Sequence, residues 1–385
     1  MRTWAALLLC LLLGACATAP ADRAPAAPSF LADSRFAPPT ERVDAADVFA
    51  LSPEMKRYLE VEIADKLRQK GMQKGLIDAL YAKGELQLDY DSAMTRNAAQ
   101  AFEVRSGNCL SLVIMTAAFA KELQLGVYYQ SVFTDETWAR SGDIQFVIDH
   151  VNLSIGKRVS EIDRGSRFQS VLTVDFLPPS ETGKQRARVL AESTVVAMYM
   201  NNRAAESLAQ GRVDDAYWWA REATLQDPEL ARGYNTLGVV YRRHGDLKLA
   251  RRVLELAIAQ EPDNPQIVSN LAQVLTDQGR GADAAVLLKR LAQLEKEPPF
   301  IFFDRGQEAL RKGDVVAAQA LFERQVDRMP YYHEFHYWLA ITHAKLGDAR
   351  EARRQLELAM DTSTTRGDHD LYAGKLARLQ ARQRP

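Results

Sequence analysis

Cysteine is scarce: three residues in 385, and two of them, Cys10 and Cys16, fall within the first sixteen positions. A disulfide framework and a cysteine-rich metal site are therefore excluded. Charge of one sign is lacking too. The 49 Lys and Arg face 50 Asp and Glu, a formal net charge of -1. Nucleic acid is excluded as a major partner, because neutralising phosphates needs a clustered basic surplus. No apolar run reaches the roughly 20 residues of a membrane-crossing helix; the run Trp4–Leu13 stops at ten. Histidine is sparse as well, and of the six only His150 precedes residue 244. What is plentiful is apolar surface, 47% of residues, enough to bury cores in the two or three domains this length predicts.

The first sixteen residues read as an export signal. Met1-Arg2 is a short positive start, Trp4–Leu13 an apolar stretch, and Leu13-Gly14-Ala15-Cys16 a small-residue ending. That ending resembles the lipobox of bacterial lipoproteins. The resemblance implies removal of residues 1–15, acylation of Cys16, and, with Ala17 next, an outer-membrane lipoprotein of the bacterial cell envelope facing the periplasm. Each buried methylene of an acyl chain stabilises the anchor by about 0.8 kcal/mol. Residues 16–46 hold Pro20, Pro25, Pro28, Pro38 and Pro39 among many alanines, the composition of an extended tether.

The second half repeats. Gly211, Gly245, Gly279, Gly313 and Gly347 are each 34 apart, and Ala216, Ala250, Ala284, Ala318 and Ala352 each follow a glycine by five. Two antiparallel helices per unit explain both. The glycine ends the first helix in a left-handed conformation, and the alanine sits where the second helix crosses it closely. The unit Ala231–Asn264, with Tyr234, Leu237, Gly238, Tyr241, Gly245, Ala250, Leu254, Ala257 and Pro262, resembles the tetratricopeptide repeat. Five such repeats span 197–366, with Arg203 and Arg305 standing where leucine is usual, and 367–385 reads as a capping helix. The resemblance implies an all-α tetratricopeptide-repeat solenoid whose first helices line a concave face with Asn201, Arg232, Asn235, Arg242, Arg243, Phe303 and Tyr337. Such a face is expected to hold a protein or peptide partner by its backbone and a carboxylate.

Residues 47–190 lack the period. Ser52-Pro53-Glu54 opens a helix; further helical patterns run to Ala82, over Asn97–Arg105, and from Cys109 to Leu123, where Gly126 is expected to end it. Strand patterns follow at Val127–Phe133, Ile144–Ile155 and Val171–Phe176, an α+β arrangement. Cys109 falls in a helix first turn, where dipole and free N–H groups favour a thiolate. His150 lies on the second strand and Asp175 on the third. A thiol nucleophile needs a base, and the base an orienting group. Gly107-Asn108-Cys109, His150 and Val174-Asp175-Phe176 together resemble the transglutaminase-like (papain-like) cysteine enzymes over roughly 97–178. The resemblance implies a catalytic triad of Cys109, His150 and Asp175, with Asp163 as the other carboxylate in range. Phe176 replaces the family's usual proline, and the His-to-Asp spacing is longer. The Cys109 N–H and Asn108 would form the oxyanion hole. No cofactor and no metal are expected. The expected activity is peptidase, amidase or acyl transfer on amide bonds; the other reading is a non-catalytic envelope scaffold keeping the fold for packing.

Overall fold

The computed structural model describes residues 29–82, 86, 88–91, 94–141, 144–158, 171–174 and 186–381. Residues 29–36 belong to a unit of their own, with one 3-10 turn over Asp33–Arg35. The unit that starts at Ala37 carries everything below. Cys16, Asp163 and Asp175 lie outside the described residues.

After Ala37 the chain does not run free. Pro38 and Pro39 cannot donate backbone hydrogen bonds, yet their neighbours are tied to the array. Ala37 N donates to Asp214 (3.1 Å) and Ala37 O accepts from the Trp218 indole (2.7 Å). Thr40 gives its N–H and hydroxyl to the Asp215 carboxylate, each at 2.7 Å. Glu41 accepts two bonds from Arg203, at 2.8 and 2.9 Å, plus one from the Trp219 indole at 3.1 Å. The end of the expected tether is thus a docked strap. It continues to Val48, whose carbonyl accepts from Ala98 N.

Helix α1 (Pro53–Arg57) starts as its sequence dictates, with Ser52 capping Met55 N and Pro53 in the first turn. A π-turn, Tyr58–Glu62, leads to α2 (Ala64–Lys70) and α3 (Met72–Tyr81). Strand β1 (Asp89–Tyr90) pairs in parallel with β2 (Ser106–Gly107), and between them α4 (Ala98–Val104) opens on an Asn97–Gln100 capping box. Helix α5 (Cys109–Glu122) is the core of this domain, with every residue from Cys109 to Ala120 buried. Burying each of its large apolar side chains stabilises the domain by about 1.5–3 kcal/mol. Tyr58, Phe102 and Phe119 meet edge-on or tilted, with ring centroids 5.4–5.9 Å apart. The helix stops at Leu123, and Gln124 takes the positive φ of 59°; Gly126, expected to end it, already lies in β3. The sheet runs β5-β4-β3-β6, all antiparallel, from β3 (Leu125–Ser141), β4 (Ile144–Arg158), β5 (Leu172–Val174) and β6 (Arg186–Leu190). Strand β6 carries alternating Arg and apolar residues at a sheet edge and was not anticipated.

The array follows as helical hairpins: α6 (Glu192–Ala209) with α7 (Val213–Gln226), α8 (Ala231–His244) with α9 (Leu247–Gln260), α10 (Pro265–Asp277) with α11 (Gly281–Leu294), α12 (Ile301–Arg311) with α13 (Val315–Arg328), and α14 (His333–Lys345) with α15 (Ala349–Asp361). Helix α16 (Arg366–Ala381) closes the end. The five period glycines all have φ between 73° and 94°, and the five period alanines are 0–2% exposed. The tightest helix crossings admit no side chain. A Cβ on Gly238 would lie 2.5 Å from Leu254, and one on Gly306 2.6 Å from Phe322.

The stack is interrupted between its third and fourth hairpins. Helices α11 and α12 do not pack closely, unlike the other successive hairpins. Leu288 is 50% exposed, while its period equivalents Leu254 and Phe322 are 0%. The two arginines at the usual leucine position fall at these two beginnings. Arg203 opens the first stack, where the strap covers it; Arg305 opens the second and is exposed.

Candidate functional site

Two places carry chemistry: the first turn of α5, and the first helices of the array.

Asn108 caps α5. Its Oδ1 accepts from Ser111 N (2.9 Å) and Ser111 Oγ (2.8 Å), and its Nδ2 donates to Thr95 Oγ1 (2.9 Å). That side chain, expected as an oxyanion donor, is engaged in holding the helix start. With the Ser111 N–H taken by that cap, the candidates for the role are the backbone N–H groups of Cys109 and Leu110. Gly107 cannot be anything else, because a Cβ there would sit 2.6 Å from Ser111 Cβ. Cys109, the first residue of the helix, is buried, 6% exposed, and in no disulfide. Tyr90 stands opposite Gly107 in the parallel pair, and Asp91 N donates to Gly107 O at 3.1 Å. Asp91 in turn holds Arg96 at 2.9 Å, and Arg96 N donates to Ser111 Oγ at 2.8 Å. Desolvation pushes the Tyr90 phenol above its ordinary value, with the nearby Cys109 and Asp91 adding to it.

His150 is 5% exposed on β4, paired with Val132 of β3. Helix α5 packs on that strand. Asn152 and Ser154, at alternate positions from His150, share its face and are buried with it. Ser154 and Thr173 exchange a 2.8 Å hydroxyl bond that ties β4 to β5. Strand β5 ends at Val174, one residue short of Asp175. Among the described residues no three His, Cys, Asp or Glu gather as a metal site.

On the array, Asn235 Oδ1 accepts from Asn270 Nδ2 at 2.9 Å, linking α8 to α10. Arg242 reaches the same neighbour, with Asp277 at 2.6 Å and Gln273 at 2.7 Å. The Asn201 carboxamide oxygen is buried without a hydrogen-bond partner among the described residues. Arg232 is half-buried and Arg243 exposed. One expected ligand-facing residue is corrected. Phe303 is 0% exposed, with Phe322 and Phe335 at ring distances of 5.8 and 5.0 Å; the helical period placed it on the first helix but turned it inward. Tyr337 is half-buried and stacks on Tyr372 of α16 at 5.2 Å. Thr95, Tyr90, Glu41 and Glu206 were not found from the sequence. Each is an isolated polar residue whose partners lie far along the chain, and no local spacing announces it.

Residues 241–299 and 309–379 match the family model for the tetratricopeptide repeat. The two stretches fall on either side of the start of α12. Among solved structures, YrrB, "a TPR protein with an unusual peptide-binding site", is 22% identical, covering 47% of this chain and 92% of that one at a TM-score of 0.25. Pseudomonas aeruginosa pilF is 21% identical, covering 48% and 91% at 0.27. Yeast Tom70 is 17% identical, covering 49% and 40% at 0.33. At these scores the likeness adds nothing to the repeat assignment, which rests on the family model and on the hairpins. A comparison with curated proteins gives no match to the chain.

Proposed function

We propose that the chain is an envelope lipoprotein in which a tetratricopeptide array holds a protein or peptide partner and a transglutaminase-like domain acts on an amide through Cys109. The observation that supports it most is the start of α5: a thiol at the first helical position, capped by Asn108, on a helix that packs against the strand carrying His150. In this reading His150 takes the Cys109 proton as sulfur attacks an amide carbonyl. The tetrahedral oxyanion forms beside the first-turn N–H groups. Collapse breaks the C–N bond, His150 returns the proton to the leaving amine, and a thioester remains. Water then releases an acid, or an amine forms a new amide. Asp175, the residue after β5, would fix the His150 tautomer, with Asp163 as its rival. The array, whose first-helix residues Asn201, Asn235 and Arg242 line one side, would present the partner.

Two experiments test the parts separately. Alkylation of Cys109 by iodoacetamide, followed across pH by peptide mass spectrometry, is expected to show a thiolate well below the ordinary value of about 8.5, and His150→Ala is expected to raise it. An ordinary midpoint indifferent to His150 sinks the catalytic reading. Metabolic labelling with palmitate is expected to mark wild type and to be lost in Cys16→Ser; equal labelling removes the anchor. The burial of Cys109 and His150, 6% and 5% exposed, favours the second reading, a non-catalytic scaffold, which predicts the ordinary midpoint.

A further inference from the structure

The start of α5 is held from the array. Thr95, 1% exposed, accepts on one hydroxyl from Asn108 Nδ2 (2.9 Å) and from Asn202 Nδ2 of α6 (3.3 Å). Its N–H donates to Glu206 Oε1, also of α6, at 2.7 Å. The other Glu206 oxygen accepts from Arg203 at 3.1 Å, and Arg203 holds Glu41 of the strap. An unbroken polar path thus runs from the strap through Arg203, Glu206 and Thr95 to Asn108, which caps the helix on Cys109. We propose that Thr95, Asn202 and Glu206 are positioning residues for the Cys109 thiol, so that the array's first hairpin sets its reactivity.

The physical argument is one of geometry. A thiolate at a helix start is stabilised by N–H groups that must point at it, and those groups are aimed by the cap. The Asn108 amide is aimed in turn by Thr95, because its Oδ1 is taken by Ser111 and its Nδ2 donates to Thr95. Thr95 has no helix or strand of its own to fix it; α6 does. Burial raises the Glu206 carboxyl above its ordinary value, against the pull of its bonds to Thr95 and Arg203. Asn201, the expected partner-facing residue of α6, is the immediate neighbour of Asn202. A partner that shifts α6 on that face therefore moves the groups that aim the cap.

The inference rests on Cys109 being an activated thiol, and the test separates the two claims. The full chain in detergent is alkylated with iodoacetamide across pH, with Cys109 read by peptide mass spectrometry. Thr95→Val is expected to raise the Cys109 midpoint by about half a unit and slow alkylation near neutral pH roughly threefold. Glu206→Gln and Asn202→Ala shift it the same way by less, and Thr95→Ser keeps the wild-type profile. Folding is checked by circular dichroism, and Asn202→Ala, the mildest change, stands in if Thr95→Val fails to fold. A wild-type midpoint that is low and unchanged in all three variants overturns the positioning role alone. An ordinary wild-type midpoint overturns the role and the thiol reading together.

Discussion

Phe303→Ala is expected to destabilise the last two repeats by about 3–5 kcal/mol, the usual loss when a buried aromatic side chain is deleted. Phe303 is fully buried in a cluster with Phe300, Ala318, Phe322, Met329, Phe335 and Leu339. Its ring contacts Phe322 and Phe335 directly, and neither can collapse into the void without moving α13 or α14. Because α11 and α12 do not pack closely, the loss stays in the second stack. Thermal unfolding should split into two transitions, the lower one belonging to α12–α16. A variant that melts as wild type but loses its partner would restore Phe303 to the ligand face.

The second large effect is at Arg203. Replacing it with alanine takes one bond from Glu206, 20% exposed, and two from Glu41, which keeps Trp219 and Arg212, so the loss falls below the roughly 3–5 kcal/mol of breaking a fully buried ion pair. Arg203 also lies over the Trp219 ring at 5.4 Å, so packing is lost with the charge. Arg203→Leu is the informative variant: it restores the usual repeat residue, yet it is expected to destabilise, because no preceding repeat exists for the leucine to pack on. Glu41→Ala, at a side chain 34% exposed, should cost about 1 kcal/mol or less after solvent screening. Denaturant midpoints measure all three, and a gain in stability for Arg203→Leu would refute the strap. The strap also has a pH signature. Burial acts to raise the Asp215 carboxyl, but its bonds from Thr40 and Arg212 outweigh that and hold it below the ordinary range. A depressed folded value means the stabilisation is complete above the unfolded value of about 3.9 and fades as pH falls through the folded one.

What the sequence made legible was whatever repeats or is local. The 34-residue glycines and alanines located every hairpin, since each residue type answers a constraint met again at each crossing. Ser52-Pro53 located a helix start, because caps act within three residues. Burial direction was harder. Phe303 fits the first-helix period, and only its neighbours, Phe322 and Phe335, show that it is covered. The strap was hidden for another reason. Its composition is that of a linker, and its order comes from Asp215 and Arg203, more than 160 residues away. The Cys109 start and His150 were visible as residue types on the right elements; Thr95 and Glu206, which fix the cap between them, were not.

The central claim is that Cys109 is a nucleophile, and its most direct measurement is capture of the acyl intermediate. Treating the full chain with p-nitrophenyl acetate, quenching in acid and mapping peptides by mass should find an acetyl thioester on Cys109. That adduct should be absent in Cys109→Ser and form more slowly in His150→Ala. Acetyl groups on surface lysines with none on Cys109 would contradict the account.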